Sequence, residues 1–226
     1  MTSGSPLRLA HRGDWRVAPE NSLHALVAAT RIPGCDGVEF DVRLSRDGVP
    51  VLLHDETLRR VQRRPGRVAE LDAAALAEFG IPTLAGVLDV LPATVFLDVE
   101  LKGDAHGEAT AVVLRAKRGE APGRALVSSF EPATLDAMRT LLPGWRRWLN
   151  AHDLAPATLS LARGLGCGGV SVGWGAITGA AFRRAADAGL DVAAWTVRRS
   201  TTVERLGRLG VVACCVEGEA LGDPRP

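Results

Sequence analysis

The stretch from Asp36 to Leu58, "DGVEFDVRLSRDGVPVLLHDETL", decides how this chain is read. Val38, Phe40 and Val42 alternate with Glu39 and Asp41, which is the two-residue period of a strand. That period sets two carboxylates side by side on one face. A second apolar run, 51–54 "VLLH", comes after only "RLSRDGVP". A crossover between parallel strands needs roughly a dozen residues or more. Residues 51–54 are therefore expected to return antiparallel, as a ribbon closed by an Asp47-Gly48 turn.

Outward from this stretch, short apolar runs alternate with amphipathic segments. The strand candidates are 7–10, 37–42, 51–54, 95–101, 125–129, 146–150, 169–172, 191–197 and 213–216. Helix candidates lie near 21–31, 70–79, 83–91, 106–118, 132–142, 153–164, 178–188 and 201–208. Asn21, Asp153 and Thr178 are placed as N-caps, and Pro132 fits a first helical turn. With the ribbon set aside, eight β-α units remain, in about the length typical of a (β/α)8 TIM barrel. An open doubly wound sheet is the alternative, but no G-x-G-x-x-G follows an early strand. No linker or internal repeat interrupts the alternation, so 1–226 reads as a single domain.

Of the 27 basic residues, only Lys102 and Lys117 are lysine, which marks both positions. A net charge of +1 calls for neither nucleic acid nor an anionic membrane as partner. The start, "MTSGSPLRLAHRG", lacks the apolar core of a secretory leader. Residues 164–182 are uncharged and long enough to span a membrane. Their many glycines and strand-then-loop punctuation argue against that, and no stable membrane insertion is expected. Cys35, Cys167, Cys214 and Cys215 form no C-x-x-C pair and read as reduced, buried thiols. Together these features point to the cytoplasm. Oligomeric state is not legible.

In a barrel, inward side chains at the C-terminal ends of the strands carry the chemistry. The first strand ends in His11-Arg12. Glu39 and Asp41 point inward from the second. Glu100 and Lys102 share a face at the end of 95–101, with Asp98 deeper on the same face. Trp195 and Glu217 close the last two strands, and His54 returns on the ribbon. Three carboxylates converging on one mouth resist ionisation unless a cation joins them. Their oxygen ligands suit a hard divalent ion, Mg²⁺ or Ca²⁺. Simple ion pairing with arginines inside the barrel is the plainer alternative. His11 and His54 can share acid and base work near neutral pH. His24, His106 and His152 read as structural. Arg12 and Lys102 suit a phosphate.

These residues sit in longer segments: "AHRGDWRVAPENS", "GCDGVEFDVRLSRDGVPVLLHDETLRR", "IPTLAGVLDVLP", "LDVELKG", "VSSFEPATLDAMR" and "AAWTV". Taken together, the segments resemble the glycerophosphodiester phosphodiesterase family over nearly the whole chain. The resemblance implies a (β/α)8 barrel that hydrolyses glycerophosphodiesters to sn-glycerol 3-phosphate and an alcohol with Mg²⁺ or Ca²⁺. It implies His11 and His54 as catalytic residues, and Glu39, Asp41 and Glu100 as metal ligands. Arg12 and Lys102 become phosphate contacts, while Glu20 and Trp195 support the site.

The end of the chain departs from the family pattern, with Val212 and Glu217 where two aspartates are common, which puts substrate fit near the last strand in question. The segment from His54 to Pro82 is too short for a large insert, which leaves the alcohol side open. A lysophospholipase D or sphingomyelinase D-like phosphodiesterase would keep the same residues behind an apolar entrance. A metal-dependent amide or ester hydrolase would want H-x-H where this chain has His11-Arg12. A non-catalytic binding barrel would bind metal without turnover.

Overall fold

The computed structural model describes residues 5–103, 105 and 107–222. These form nine strands: β1 (Leu7–His11), β2 (Gly37–Leu44), β3 (Pro50–Leu52), β4 (Phe96–Leu101), β5 (Ala125–Ser129), β6 (Arg146–Ala151), β7 (Gly169–Gly173), β8 (Asp191–Val197) and β9 (Ala213–Val216). Eight of them are parallel, and β1 pairs with both β2 and β9, which closes the sheet into a TIM barrel. β3 lies antiparallel on β2, with Val42 opposite Leu52 and Leu44 opposite Pro50. The turn between them places Gly48 at φ 75°, in the region that favours glycine. Ser45 stitches the turn, accepting from the Val49 amide at 2.9 Å and donating to Asp47 at 2.5 Å.

The eight α-helices among the described residues are α1 (Leu23–Ala29), α2 (Ala73–Glu78), α3 (Leu84–Val90), α4 (Glu108–Arg118), α5 (Pro132–Leu141), α6 (Pro156–Gly164), α7 (Gly179–Asp187) and α8 (Ser200–Leu209). They do not divide one per strand. α2 belongs to the excursion after β3, and β9 leads into a 3₁₀ turn, Gly218–Ala220, rather than an α-helix among the described residues. The excursion packs a small core of its own, from Val51, Leu53, Leu58, Val68, Leu76 and Ile81. No helix among the described residues is long and apolar enough to cross a membrane. The uncharged run 164–182 instead splits into the end of α6, β7 and the start of α7. All four cysteines are free thiols.

Thr178 caps α7, accepting from the Ala181 amide at 3.1 Å, and Pro132 opens α5. Asp153 is not a cap. Ala155 precedes α6, and Asp153 binds the Ala155 amide and the Thr158 hydroxyl from farther back. Asn21 is not a cap either. Ser22 holds that position in α1, and Asn21 turns inward.

The outward residues Val38, Phe40, Val42, Leu97, Val99 and Leu101 pack against Leu26, Val87, Leu88 and Leu114 of the helices. The inward positions divide along the barrel axis. Toward the N-terminal ends of the strands, Leu9, Phe96, Leu126, Trp148 and Ala193 form an apolar floor. A Cβ at Gly37 would stand 2.2 Å from the Phe96 carbonyl oxygen, so only glycine admits β4 there. Val212 packs at this floor and lies away from the mouth. Toward the C-terminal ends the inward residues turn polar.

Candidate active site

The mouth is built from two adjacent strands. In the β2–β4 register Glu39 faces Asp98 and Asp41 faces Glu100, so four carboxylates form a block. All four are largely buried, Asp41 fully. One oxygen each from Glu39, Asp41 and Glu100 can be chosen so that all lie within 4.8 Å of one another.

Asp41 is the anchor of the block. Lys102 Nζ stands 3.1 Å and Arg12 Nε 3.0 Å from its carboxylate, and Asn21 Nδ2 donates to it at 2.8 Å. The Asn21 Oδ1 accepts in turn from the Asp41 amide at 3.1 Å. Arg12 and Asn21 both adopt positive φ, 59° and 58°, a strained conformation for arginine. The Asn21 amide donates to the Arg12 carbonyl at 3.0 Å, and the Arg12 amide donates to the Glu39 carbonyl at 2.8 Å. The loop after β1 is thus folded around Asp41. Burial pushes the Asp41 pKa up, but Lys102, Arg12 and His54 outweigh it and hold the carboxyl down at about 2.

Its neighbours behave oppositely. Burial, then Asp41 and Glu100, raise Glu39 well above the ordinary carboxylate range. Burial and Asp41 raise Glu100 as well, although Lys102 Nζ lies 2.5 Å away. Asp98, deeper, is pushed up to about 7 by burial, against a 2.6 Å hydrogen bond from Ser128. Among the described residues an arginine pairs with the block at Asp41 alone, and His11 Nε2 stands 3.9 Å from Glu39. Glu39 Oε1 is buried without a hydrogen-bond partner. An unsatisfied carboxylate oxygen among three clustered acids fits a hard cation with oxygen ligands.

Both histidines are clamped at the same nitrogen. His11 Nδ1 donates to Glu217 Oε1 at 2.6 Å, and Arg198 Nε holds the other Glu217 oxygen at 2.8 Å. His54 Nδ1 donates to Asp55 Oδ1 at 2.7 Å. Arg60 ties Asp55 to Glu20, and Glu20 accepts from Arg12 Nη1 at 2.9 Å. Such a clamp fixes ring orientation and leaves Nε2 for exchange. Burial lowers the His54 pKa, and Asp41 and Asp55 oppose that only in part.

His11, His54, Glu39, Glu100, Lys102 and Arg12 line one side of a cavity of about 200 Å³. Phe130, Asn150, Ser171 and Trp195 line the other. Trp195 points inward from β8, and its Nε1 is buried without a partner. Phe130, His152 and Trp195 pack as a cluster of tilted and edge-on rings, with centroids 5.4 to 6.3 Å apart.

All the residues singled out at the strand ends thus meet at one mouth, with Glu20 one shell behind. His24 lies exposed on α1, and His106 falls outside the described residues. His152, read as structural, packs at the aromatic wall. Glu217, read as a polar strand end and as a departure from a family pattern, holds His11. Asp55, Asn21 and Arg60 carry no such signal in the strand-end pattern. Asp55 has a local one, since it comes directly after His54.

Residues 11–217 match the sequence profile of the Glycerophosphoryl diester phosphodiesterase family. A glycerophosphodiester phosphodiesterase of Caldanaerobacter subterraneus is 31% identical over 61% of this chain and 63% of its own length. Glycerophosphodiester phosphodiesterase 1 of Homo sapiens is 32% identical over 58% of this chain and 44% of its own. The match therefore spans less than two thirds of these relatives. Among solved structures, an Oleispira antarctica phosphodiesterase in complex with the product sn-glycerol-3-phosphate superposes with a TM-score of 0.81 at 27% identity. The superposition covers 93% of this chain and 92% of that one.

Proposed function

The chain belongs to the glycerophosphoryl diester phosphodiesterase family, and from that premise we propose that it hydrolyses glycerophosphodiesters to sn-glycerol 3-phosphate and an alcohol. The observation that carries this reading is the pair of histidines. Each is clamped at Nδ1 by a carboxylate, and both line the cavity that holds the acid cluster and Lys102. The product bound to the Oleispira relative supports the substrate class.

Glu39, Asp41 and Glu100 would hold Mg²⁺ or Ca²⁺, which supplies charge neutralisation at the phosphate oxygens. Arg12 and Lys102 draw the phosphate into the mouth. Arg12 does so as a planar fork and Lys102 as a compact point charge. One histidine accepts a proton at Nε2 from the nucleophile, either water or a substrate hydroxyl next to the phosphate. The other donates its Nε2 proton to the oxygen of the departing alcohol as the P–O bond breaks. In the hydroxyl route a cyclic phosphate forms first and water then opens it. Glu217 and Asp55 keep both rings in register throughout. Trp195 offers its unpartnered Nε1 as a donor to a glycerol oxygen, and Glu20 steadies Arg12.

We read residues 1–226 as one catalytic domain working in the cytoplasm on a small-molecule phosphodiester, without nucleic acid. The four free cysteines support that placement. The exposed ring of Phe130 at the entrance, 37% accessible, favours one further reading. There the alcohol carries an apolar chain, as in a lysophospholipase D or sphingomyelinase D-like reaction.

A turnover panel tests the assignment. Glycerophosphocholine, glycerophosphoethanolamine, glycerophosphoinositol and lysophosphatidylcholine are each incubated with Mg²⁺ or Ca²⁺, and sn-glycerol 3-phosphate release is measured. Release from the glycerophosphodiesters is expected. Release of lysophosphatidic acid alone would move the assignment to the lipid substrate, and no turnover with metal bound would leave a binding barrel.

A further inference from the structure

The catalytic cavity, at about 200 Å³, is small for a whole glycerophosphodiester. A second cavity of about 470 Å³ adjoins it, and Lys102 lines both. This neighbour lies between the β2–β3 ribbon and the excursion after His54. Its charged lining among the described residues is Arg43, Arg46, Arg67 and Lys102, against Glu56.

The arrangement derives from strand periodicity. Glu39, Asp41 and Arg43 occupy successive positions on one face of β2. The first two reach the acid block, and the third stands one step further along, past the barrel mouth. Arg43 Nε donates to the His54 backbone carbonyl at 2.9 Å, which pins the guanidinium beside that histidine. Arg46 is paired with Asp72, and Arg67 with Glu56 at 2.7 Å. Arg43 forms no ion pair among the described residues.

We propose that this second cavity is the subsite for the leaving alcohol, and that Arg43 selects an alcohol bearing its own phosphate. The proposal rests on the reading of the mouth as a glycerophosphodiesterase site. Lys102 then stands between two phosphates: the diester being cleaved and a monoester on the alcohol. A phosphate presents oxygens to the terminal guanidinium nitrogens of Arg43 as charge-assisted hydrogen bonds. A quaternary or primary ammonium headgroup meets like charge instead. Phosphorylated inositol and a further glycerophosphate unit share the required chemistry.

The test compares kcat/KM for matched pairs, glycerophosphoinositol 4-phosphate against glycerophosphoinositol and glycerophosphoglycerol 3-phosphate against glycerophosphoglycerol. The phosphorylated member is expected to be favoured roughly tenfold or more, the scale of a hydrogen bond to a charged group. The two pairs separate an inositol source from a glycerol source. In Arg43→Gln the preference should fall to about one, and in Arg43→Lys most of it should remain. Circular dichroism confirms folding. Calorimetry of the same pairs in chelator measures the affinity ratio without turnover. Selective binding without hydrolysis would uphold the subsite while overturning the parent assignment. A ratio near one in the unmodified chain, or one unchanged by Arg43→Gln, overturns the subsite.

Discussion

On β2 and β4 the same inward rows run from Gly37 and Phe96 at the floor to Asp41 and Glu100 at the mouth. The floor is apolar and closed: Leu9, Phe96, Leu126 and Trp148 fill it with at most 4% of any residue exposed. The mouth is nearly as buried but charged, with Glu39, Asp41, Asp98 and Glu100 outnumbering Arg12 and Lys102. One periodicity thus serves two purposes. Packing at the floor contributes stability, whereas the surplus of acids at the mouth opposes it. Substitutions at the two ends should therefore part company, with activity failing at one and folding at the other.

The largest separation is expected at the histidines. His11→Ala and His54→Ala should each lower kcat by about 10²–10⁴-fold, the usual reach of general acid–base catalysis. Thermal melting should change little, since neither ring belongs to the floor. Near-normal kcat in either variant removes that residue from the catalytic pair.

Phe96→Ala reverses the pattern. It should cost about 3–5 kcal/mol by leaving a cavity in the floor, read from denaturant unfolding. The folded fraction should retain its kcat/KM. If activity were lost ahead of stability, floor and mouth would not be separable.

The two lysines sharpen the contrast within one residue type. Lys102 is wedged between Asp41 and Glu100, while Lys117, a third exposed on α4, pairs with Asp89 at 2.5 Å. Lys102→Arg should lower kcat/KM by roughly tenfold, because a planar fork cannot replace a point charge there. Lys117→Arg should keep kcat/KM, since a surface pair contributes roughly 1 kcal/mol or less. Equal kcat/KM in Lys102→Arg would make that lysine an accident of composition.

Glu39→Gln should show the smallest change in stability. With chelator present the variant should melt with the unmodified chain or gain about 1 kcal/mol, because one crowded charge is gone. Added Mg²⁺ should stabilise the unmodified chain and not the variant. A clear loss of stability in chelator would mean that Glu39 is satisfied as it stands.

The floor and shell are readable in the sequence because alternation marks both faces of a strand at once, and the Asp47-Gly48 turn identifies the ribbon. The acid cluster comes from the same alternation. The hidden features depend on tertiary distance or on competing local roles. Asn21 before an apolar helix reads as a cap, yet Ser22 takes the cap and frees Asn21 for Asp41. The partners of the histidines differ in the same way. Asp55 adjoins His54, but Glu217 reaches His11 across 206 residues and only barrel closure brings them together. Arg43 reads as part of a turn connection, and its place in the second cavity emerges only once the excursion is folded beside it.

The central claim is that the buried acids at the mouth hold the cation on which phosphodiester cleavage depends. Its most direct test is glycerophosphocholine turnover by the chelated protein, titrated with Mg²⁺ or Ca²⁺, for the unmodified chain and Asp41→Asn. The account predicts no release of sn-glycerol 3-phosphate in chelator, recovery as the cation is added, and no recovery in Asp41→Asn although it folds. Full turnover in excess chelator would contradict it.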